Sequence, residues 1–343
     1  MKEFLNKTVL ITGATGLIGS HLIDTMMKLD HVKVIALSRN KQKIIDGFQK
    51  YIGNSRFSYI VSDVSKSSAF DIETDVDYIF HAAGPMEGKI IANCPMDVIM
   101  PNLTGTVNCL ELLRRQKEKS GNNGRLVLFS SVTVYANQTN QDRTVSEDQT
   151  DVTQGIDAVG AAYSQSKRMS EVIVQAYRKQ YGIQAVIARL STVYGNTRFL
   201  PDTAFFQFIN AAVCHKNIIM KESGICRRDN IYIEDAIDGL LTICILGVDG
   251  QAYNISSNGE LGNFAAVDEI ALLIAKEFND RFAYKGSSMI SVLYQDSGNN
   301  ARKPGLKLDN RKLKGLGWKL KTSLKDGIVQ TVNDILAEQK ERR

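Results

Sequence analysis

Thr8-Val9-Leu10-Ile11-Thr12-Gly13-Ala14-Thr15-Gly16-Leu17-Ile18-Gly19 decides how this chain is built. Thr8 to Thr12 is a short apolar, β-branched run, the pattern of a buried parallel strand. Three glycines follow at G-x-x-G-x-x-G spacing, and Ser20-His21-Leu22-Ile23-Asp24 then opens a helical pattern. Glycine is needed where the strand turns sharply, where the backbone nears a pyrophosphate and where helix meets strand. The helix N-terminus then aims unbonded N–H groups at the phosphates. A glycine-rich turn that binds nothing is the plainer reading, but the strand before it and the helix after it favour a dinucleotide site. Gly13, Thr15, Gly16, Leu17, Ile18 and Gly19 are its candidate contacts.

The pattern repeats outward from this stretch. Val32 to Leu37 predicts a second strand, ending in Ser38-Arg39-Asn40-Lys41. A site for NAD usually carries an acidic residue there, whereas arginine and lysine welcome a 2′-phosphate. Ser38, Arg39 and Asn40 therefore favour NADP over NAD, with a solvated cap for a helix near Lys41 as the alternative. Phe57 to Val61 is a third strand, running to Asp63 and Val64, a clamp for an adenine ring. Val76 to Phe80 is a fourth, followed by His81-Ala82-Ala83-Gly84, whose small residues let the backbone lie against a cofactor. His81 reads as a packed strand residue. A helix from Met96 to Lys119, with a kink expected at Pro101, carries Asn102-Leu103-Thr104-Gly105-Thr106. Leu126 to Phe129 makes a fifth strand and leads into Ser130-Ser131-Val132-Thr133-Val134-Tyr135. This β-α alternation predicts an α/β fold with a Rossmann-type, doubly wound parallel sheet.

Asn137 to Gly160 is polar and reads as a long loop, a length that commonly serves function. Tyr163 and Lys167 then open a helix reaching Tyr181. Residues four apart share a helix face, so phenol and ammonium can meet at one point, and the ammonium would lower the phenol's pKa. Alone, such a pair also arises by chance on solvated faces. Gln184 to Leu190 is a sixth strand, ending in Ser191-Thr192-Val193-Tyr194-Gly195. After it, helices are expected over Asp202–Val213, from Ala236 and over Asn263–Phe278, with a strand at Tyr253-Asn254-Ile255 and an amphipathic last helix. Residues 1–190 are expected to form the cofactor domain, with returns from the second half, and 191–343 mainly a smaller C-terminal substrate-binding lobe.

Across its 343 residues the chain is 43% hydrophobic and 23% charged, an ordinary globular balance. Its net charge of +5 comes without a basic block or aromatic–basic interleaving, so nucleic acid is not an expected partner. The five cysteines are widely spaced and form no C-x-x-C pair, which suggests neither a metal site nor a disulfide framework. No apolar run is long enough to span a membrane, and the N-terminus runs straight into a strand; the sequence reads as cytosolic.

Together these motifs resemble the extended short-chain dehydrogenase/reductase superfamily, in its NAD-dependent epimerase/dehydratase group acting on nucleotide sugars. The resemblance spans essentially the whole chain. It rests on the glycine fingerprint, His81-Ala82-Ala83-Gly84, Asn102-x-x-Gly105-Thr106, Ser130-Ser131, Tyr163-x-x-x-Lys167, Arg189 with Val193-Tyr194-Gly195, and Arg228-Asp229 with Tyr232-Ile233-Glu234-Asp235. It implies that Tyr163 is the acid/base at carbon 4 of a hexose, that Lys167 holds the nicotinamide ribose, and that Ser131 bonds the same sugar oxygen. Thr133 joins the candidate catalytic positions. Ala82, Ala83, Gly84, Asn102, Ser130 and Leu190 join the candidate cofactor contacts, and Met86, Ser131, Thr192, Arg198, Arg228 and Arg302 the candidate substrate contacts. A homodimer, built through the Tyr163–Lys167 helix and the one around Val107 to Leu113, is implied in the same way.

The departures from the group bear on the reaction. The 4,6-dehydratases carry an Asp-Glu pair where Val132 and Thr133 stand, and the UDP-glucuronate decarboxylases a glutamate at Thr133. Ser131-Val132-Thr133-Val134-Tyr135 looks most like the UDP-galactose 4-epimerases, although that group has an acidic residue after the second strand and an asparagine at Thr192. The expected activity is epimerisation of a nucleotide sugar through hydride transfer at carbon 4. An NADPH-dependent 4-ketosugar reductase is the alternative, ahead of a decarboxylase-like enzyme or a non-catalytic NADP-binding relative.

Overall fold

Apolar runs of four to seven residues, separated by amphipathic helices, can bury both their faces only as central strands of a parallel sheet. The computed structural model, which describes residues 2–135, 141–149, 155–198, 203–220, 226–282, 289–295 and 304–341, shows that arrangement. The first half runs β1 (Thr8–Thr12), α1 (Leu17–Met27), β2 (Lys33–Ser38), α2 (Lys41–Gly47), β3 (Phe57–Val61), β4 (Tyr78–His81), α3 (Gly88–Asn93), α4 (Pro95–Ser120) and β5 (Arg125–Ser131). Next come β6 (Arg143–Val145), α5 (Ala161–Tyr181), β7 (Gln184–Leu190), β8 (Thr192–Tyr194), α6 (Ala204–Val213), β9 (Ile218–Met220), β10 (Arg227–Tyr232) and α7 (Ile233–Leu246). The chain closes with β11 (Ala252–Ile255), β12 (Phe264–Ala266), α8 (Val267–Phe282), β13 (Val292–Tyr294), β14 (Leu306–Leu308), α9 (Arg311–Lys314) and α10 (Leu324–Glu341).

Seven strands form one parallel sheet in the order β11-β7-β5-β4-β1-β2-β3. Alternate strand residues feed two cores. Val9, Ile11, Val34, Ala36, Val127 and Phe129 pack with Leu22, Ile23 and Met26 of α1 and Leu240 of α7. Leu10, Ile35, Leu37, Ile79, Leu126 and Leu128 pack instead with Leu110 and Leu113 of α4 and Val174 of α5. Strand order reverses between β1 and β4, which opens a crevice at their carboxyl ends, where such sheets take ligands. The second half adds short ribbons: β8-β10-β12, β6-β14 and β9-β13. Asp229 ties two of them, its carboxylate accepting from the Leu308 N–H at 2.9 Å and from the Ser257 hydroxyl. Burial raises Asp229 to about 6 against those stabilising hydrogen bonds.

Several expectations are corrected. The helix read from Asn263 starts at Val267, because Phe264–Ala266 pairs antiparallel with β10, Asp229 facing Phe264. Open hydrogen-bonding groups on β10 outweigh the helix preference of Ala265 and Ala266. The stretch read as a loop from Asn137 to Gly160 contains β6, with Arg143 opposite Leu306 on β14; residues 136–140 and 150–154 lie outside the described residues. Pro101 lies inside α4, which runs on through it to Ser120. The helix expected from Asp202 is described from Ala204. Among the described residues no helix is long and apolar enough to cross a membrane, and no cluster suits a metal ion.

Candidate active site

The crevice is built on close approach. At the end of β1 the chain turns at Gly13 with φ +64°, a conformation that most side chains disfavour. A Cβ on Gly13 would stand 2.8 Å from the Ala82 backbone, and one on Gly19 would overlap the Gly13 carbonyl. Gly16 is the N-cap of α1, so the first-turn N–H groups of Leu17 and Ile18, which a helix cannot bond internally, face outward for an anion. The Thr15 hydroxyl lies 2.9 Å from that of Ser38, joining this cradle to the end of β2. A cradle of this shape suits the pyrophosphate of a dinucleotide, and Gly13, Gly16, Leu17, Ile18 and Gly19 are the residues that could hold it. Beyond β2, the Arg39 guanidinium is exposed and stands 3.8 Å from Asp63. Asn40 accepts from the Lys43 N–H at 2.9 Å and caps α2, as the plainer reading had it. Val64 is buried, and its carbonyl accepts from Asn108 at 2.8 Å.

Under the cradle, Thr12 is a residue that the sequence reading missed. Its hydroxyl accepts from the Ala83 N–H at 3.2 Å and lies 2.8 Å from His81 Nδ1. Burial, helped by the Lys167 ammonium, lowers His81 to about 3. It is a neutral, packed strand residue, as expected. Gly105 lets α4 rest on this ring, since a Cβ there would come 2.9 Å from His81 Cε1. A Cβ on Gly84 would meet Asn102 Oδ1 at 2.7 Å and Lys167 Nζ at 3.6 Å, so Gly84, Asn102 and Lys167 converge. Asn102 Nδ2 donates to Ser166 at 2.9 Å, while its Oδ1 is buried with no partner among the described residues.

Tyr163 and Lys167 lie on the first two turns of α5, both buried, with Nζ 5.8 Å from the phenol ring centre. Nζ donates to the Phe129 carbonyl at 2.8 Å. Burial brings Lys167 down to about 8, while the Glu171 carboxylate opposes the fall. Tyr163 is raised by burial, and a hydrogen bond with the Ser131 hydroxyl pulls the other way. The lowering expected from Lys167 is not found: burial raises the phenol, and the influence that opposes it is the Ser131 hydrogen bond, while the ammonium donates to Phe129. Tyr163 holds its proton and stands ready as an acid. The Ser131 hydroxyl also accepts from the Thr133 N–H at 3.2 Å, and the buried Thr133 hydroxyl has no partner among the described residues.

Other candidates are engaged elsewhere. The Ser130 hydroxyl donates to Glu171 at 2.5 Å. Arg198 pairs with Asp24 of α1 and lies over the Phe48 ring at 5.2 Å. Leu190 is buried opposite Ser131, and Thr192 sits on β8 beside Asn230. Met86 is exposed, as is Arg228 on β10; Arg302 lies outside the described residues. The reading also missed Glu171, which a four-residue spacing from Lys167 places on the same helix face.

Residues 9–256 match the profile of the NAD dependent epimerase/dehydratase family. The UDP-glucuronic acid decarboxylase 5 of Arabidopsis thaliana is 28% identical over 326 residues, 94% of this chain and 87% of that protein. The dTDP-D-glucose 4,6-dehydratase of Mus musculus is 25% identical, over 95% of this chain and 88% of that one. Among solved structures, the UDP-glucuronic acid 4-epimerase of Bacillus cereus, in complex with UDP-glucuronic acid and NAD, superposes with a TM-score of 0.77. It is 23% identical and covers 96% of this chain and 99% of its own.

His81 generates a pH prediction. Its folded-state pKa of about 3 lies below the ordinary 6.5, so the unfolded chain binds a proton that the folded chain does not. Its stabilising contribution is present above the ordinary value and is lost as pH falls toward the folded one. Urea unfolding at about pH 7 and about pH 4.5 should show a smaller loss in His81→Asn than in the unchanged chain. Equal losses would mean that His81 is not held neutral.

Proposed function

We propose, from the premise that the chain belongs to the NAD dependent epimerase/dehydratase family, that it is a nucleotide-sugar 4-epimerase. Such an enzyme inverts carbon 4 with no net redox change. The observation that carries this reading is the pair of side chains after Ser131. Val132 and Thr133 carry no group that takes a proton from carbon 5 or expels water, which leaves Tyr163, hydrogen-bonded to Ser131, as the acid/base of this reading. The decarboxylase and dehydratase relatives support the substrate class, a nucleotide sugar, rather than their own reactions.

In this reading the Tyr163 phenol and the Ser131 hydroxyl bond the same sugar oxygen, and Tyr163 moves the proton at that atom. Lys167 holds its ammonium beneath, toward the ribose of the cofactor. Bound nicotinamide supplies the hydride exchange. The unpartnered Thr133 hydroxyl and Asn102 Oδ1 are further groups whose hydrogen bonds a ligand would complete. The C-terminal half, 191–343, serves as the substrate lobe, Arg228 and Arg302 gripping the diphosphate. A second reading, an NADPH-dependent 4-ketosugar reductase, draws support from Arg39, an exposed cation just after β2 of the kind that pairs a 2′-phosphate.

An epimerase should retain its cofactor through purification and interconvert a UDP-sugar, UDP-glucose or UDP-glucuronic acid being the first to try, without added nicotinamide. Tyr163→Phe should then lose about 10²–10⁴-fold in turnover. Strict dependence on added NADPH would move the assignment to the reductase, and full activity of Tyr163→Phe would remove the acid/base role.

Arg39→Ala should weaken NADP binding by about 1–3 kcal/mol with little change for NAD, measured by titration calorimetry. Equal loss for both cofactors would end the preference for NADP. For assembly, exposed Met100 on α4 with Met169 and Val172 on α5 supports a homodimer through those helices. Light scattering at the mass of one chain would rule it out.

A further inference from the structure

Ser130, Glu171 and Arg189 come from β5, α5 and β7, yet they make one closed cluster behind the catalytic pair. Glu171 is four residues after Lys167, one turn along the same face of α5. Its Oε1 accepts from Ser130 Oγ at 2.5 Å and Arg189 Nε at 3.0 Å, and its Oε2 from Arg189 Nη2 at 2.7 Å. The two charged side chains keep only 13% and 7% of their exposure. A two-pronged guanidinium grip with a third donor leaves the carboxylate one orientation. Arg189 is itself fixed, opposite Ser130 in the sheet, by bonds from Nη1 to Tyr135 Oη at 2.9 Å and to the Glu147 carbonyl at 2.7 Å.

We propose that Glu171 is a positioning residue for the catalytic pair: a locked carboxylate that keeps the Lys167 ammonium charged and in register beneath Tyr163. This rests on Tyr163 and Lys167 being the catalytic pair and deepens that reading. Five groups surround the Lys167 Nζ. Tyr163 and Glu171 share its helix, His81 reaches it from β4, Asn102 from α4, and the Phe129 carbonyl from β5. His81 is neutral and Tyr163 protonated, so Glu171 is the one anionic charge among them. Without it, burial alone would act on the lysine, and a neutral amine would hold the ribose hydroxyls more weakly than an ammonium does. Arg189 and Ser130 prevent the carboxylate from swinging onto Lys167 itself, which leaves the ammonium free to face the site.

The test reads Lys167 rather than turnover. In protein labelled with ¹⁵N at lysine side chains, without substrate, the Lys167 signal is assigned by its loss in Lys167→Arg and titrated. Glu171→Gln, similar in shape but uncharged, should lower the midpoint by about one pH unit or more. Arg189→Met, which disturbs the same cluster but leaves the carboxylate, should keep the midpoint at its original value or raise it. An unmoved midpoint in folded Glu171→Gln overturns the proposal, as does a fall in Arg189→Met, since loosened packing would then be the cause. Should Glu171→Gln fail to fold, Glu171→Ala is titrated in its place, and an unmoved midpoint there overturns the proposal. Because no substrate is present, this outcome is independent of whether Tyr163→Phe loses activity.

Discussion

The structure depends on how closely the carboxyl ends of β1 and β4 meet at the reversal of strand order. β1 and β4 are neighbours whose continuations leave in different directions, and the gap between them must admit a ligand while closing below it. Gly13 against the Ala82 backbone makes the closure, and the Thr12 hydroxyl, bridging the Ala83 N–H and His81, holds it. Because Gly105 lets α4 lie on His81, and Gly84 lets Asn102 and Lys167 approach, the same contact fixes the distance from cofactor cradle to catalytic helix. The spacing of the active site is therefore set by missing side chains as much as by those present.

Much of this could be read in the sequence. A parallel sheet writes itself as apolar runs, so β1, β2, β3, β5 and β7 were legible to within a residue or two, and the glycine spacing located the crevice. The short strands were not. β12 looked helical because Ala265 and Ala266 carry no period, and β6 lay hidden in a polar stretch because its partner, β14, is far along the chain. Pairing with a distant edge leaves no local mark.

The candidate site divides along the same line. Residues tied to backbone shape, such as Gly13, Gly19 and Gly84, stand where their pattern put them. Side chains with long reach did not always do so: Ser130 turns to Glu171, and Arg198 to Asp24. The sign of the Tyr163 shift also escaped the sequence, since a lysine four residues away says nothing about how deeply both are buried. Desolvation and the Ser131 hydrogen bond act on the same phenol in opposite directions, and the depth of burial decides between them.

β11 pairs with β7 at the end of the sheet, although some sixty residues separate them and it belongs to the second half of the chain. During synthesis the first six strands emerge with the outer edge of β7 bare, and with α7 still unmade to cover Val186 and Ala188. That edge stays open as a template for stray pairing until residue 255 has left the ribosome. The last strand of the seven-stranded sheet thus acts as a folding checkpoint: a chain broken off before it carries Gly13, Gly16, Gly19 and the Tyr163–Lys167 pair, but ends on an unfinished, adhesive edge.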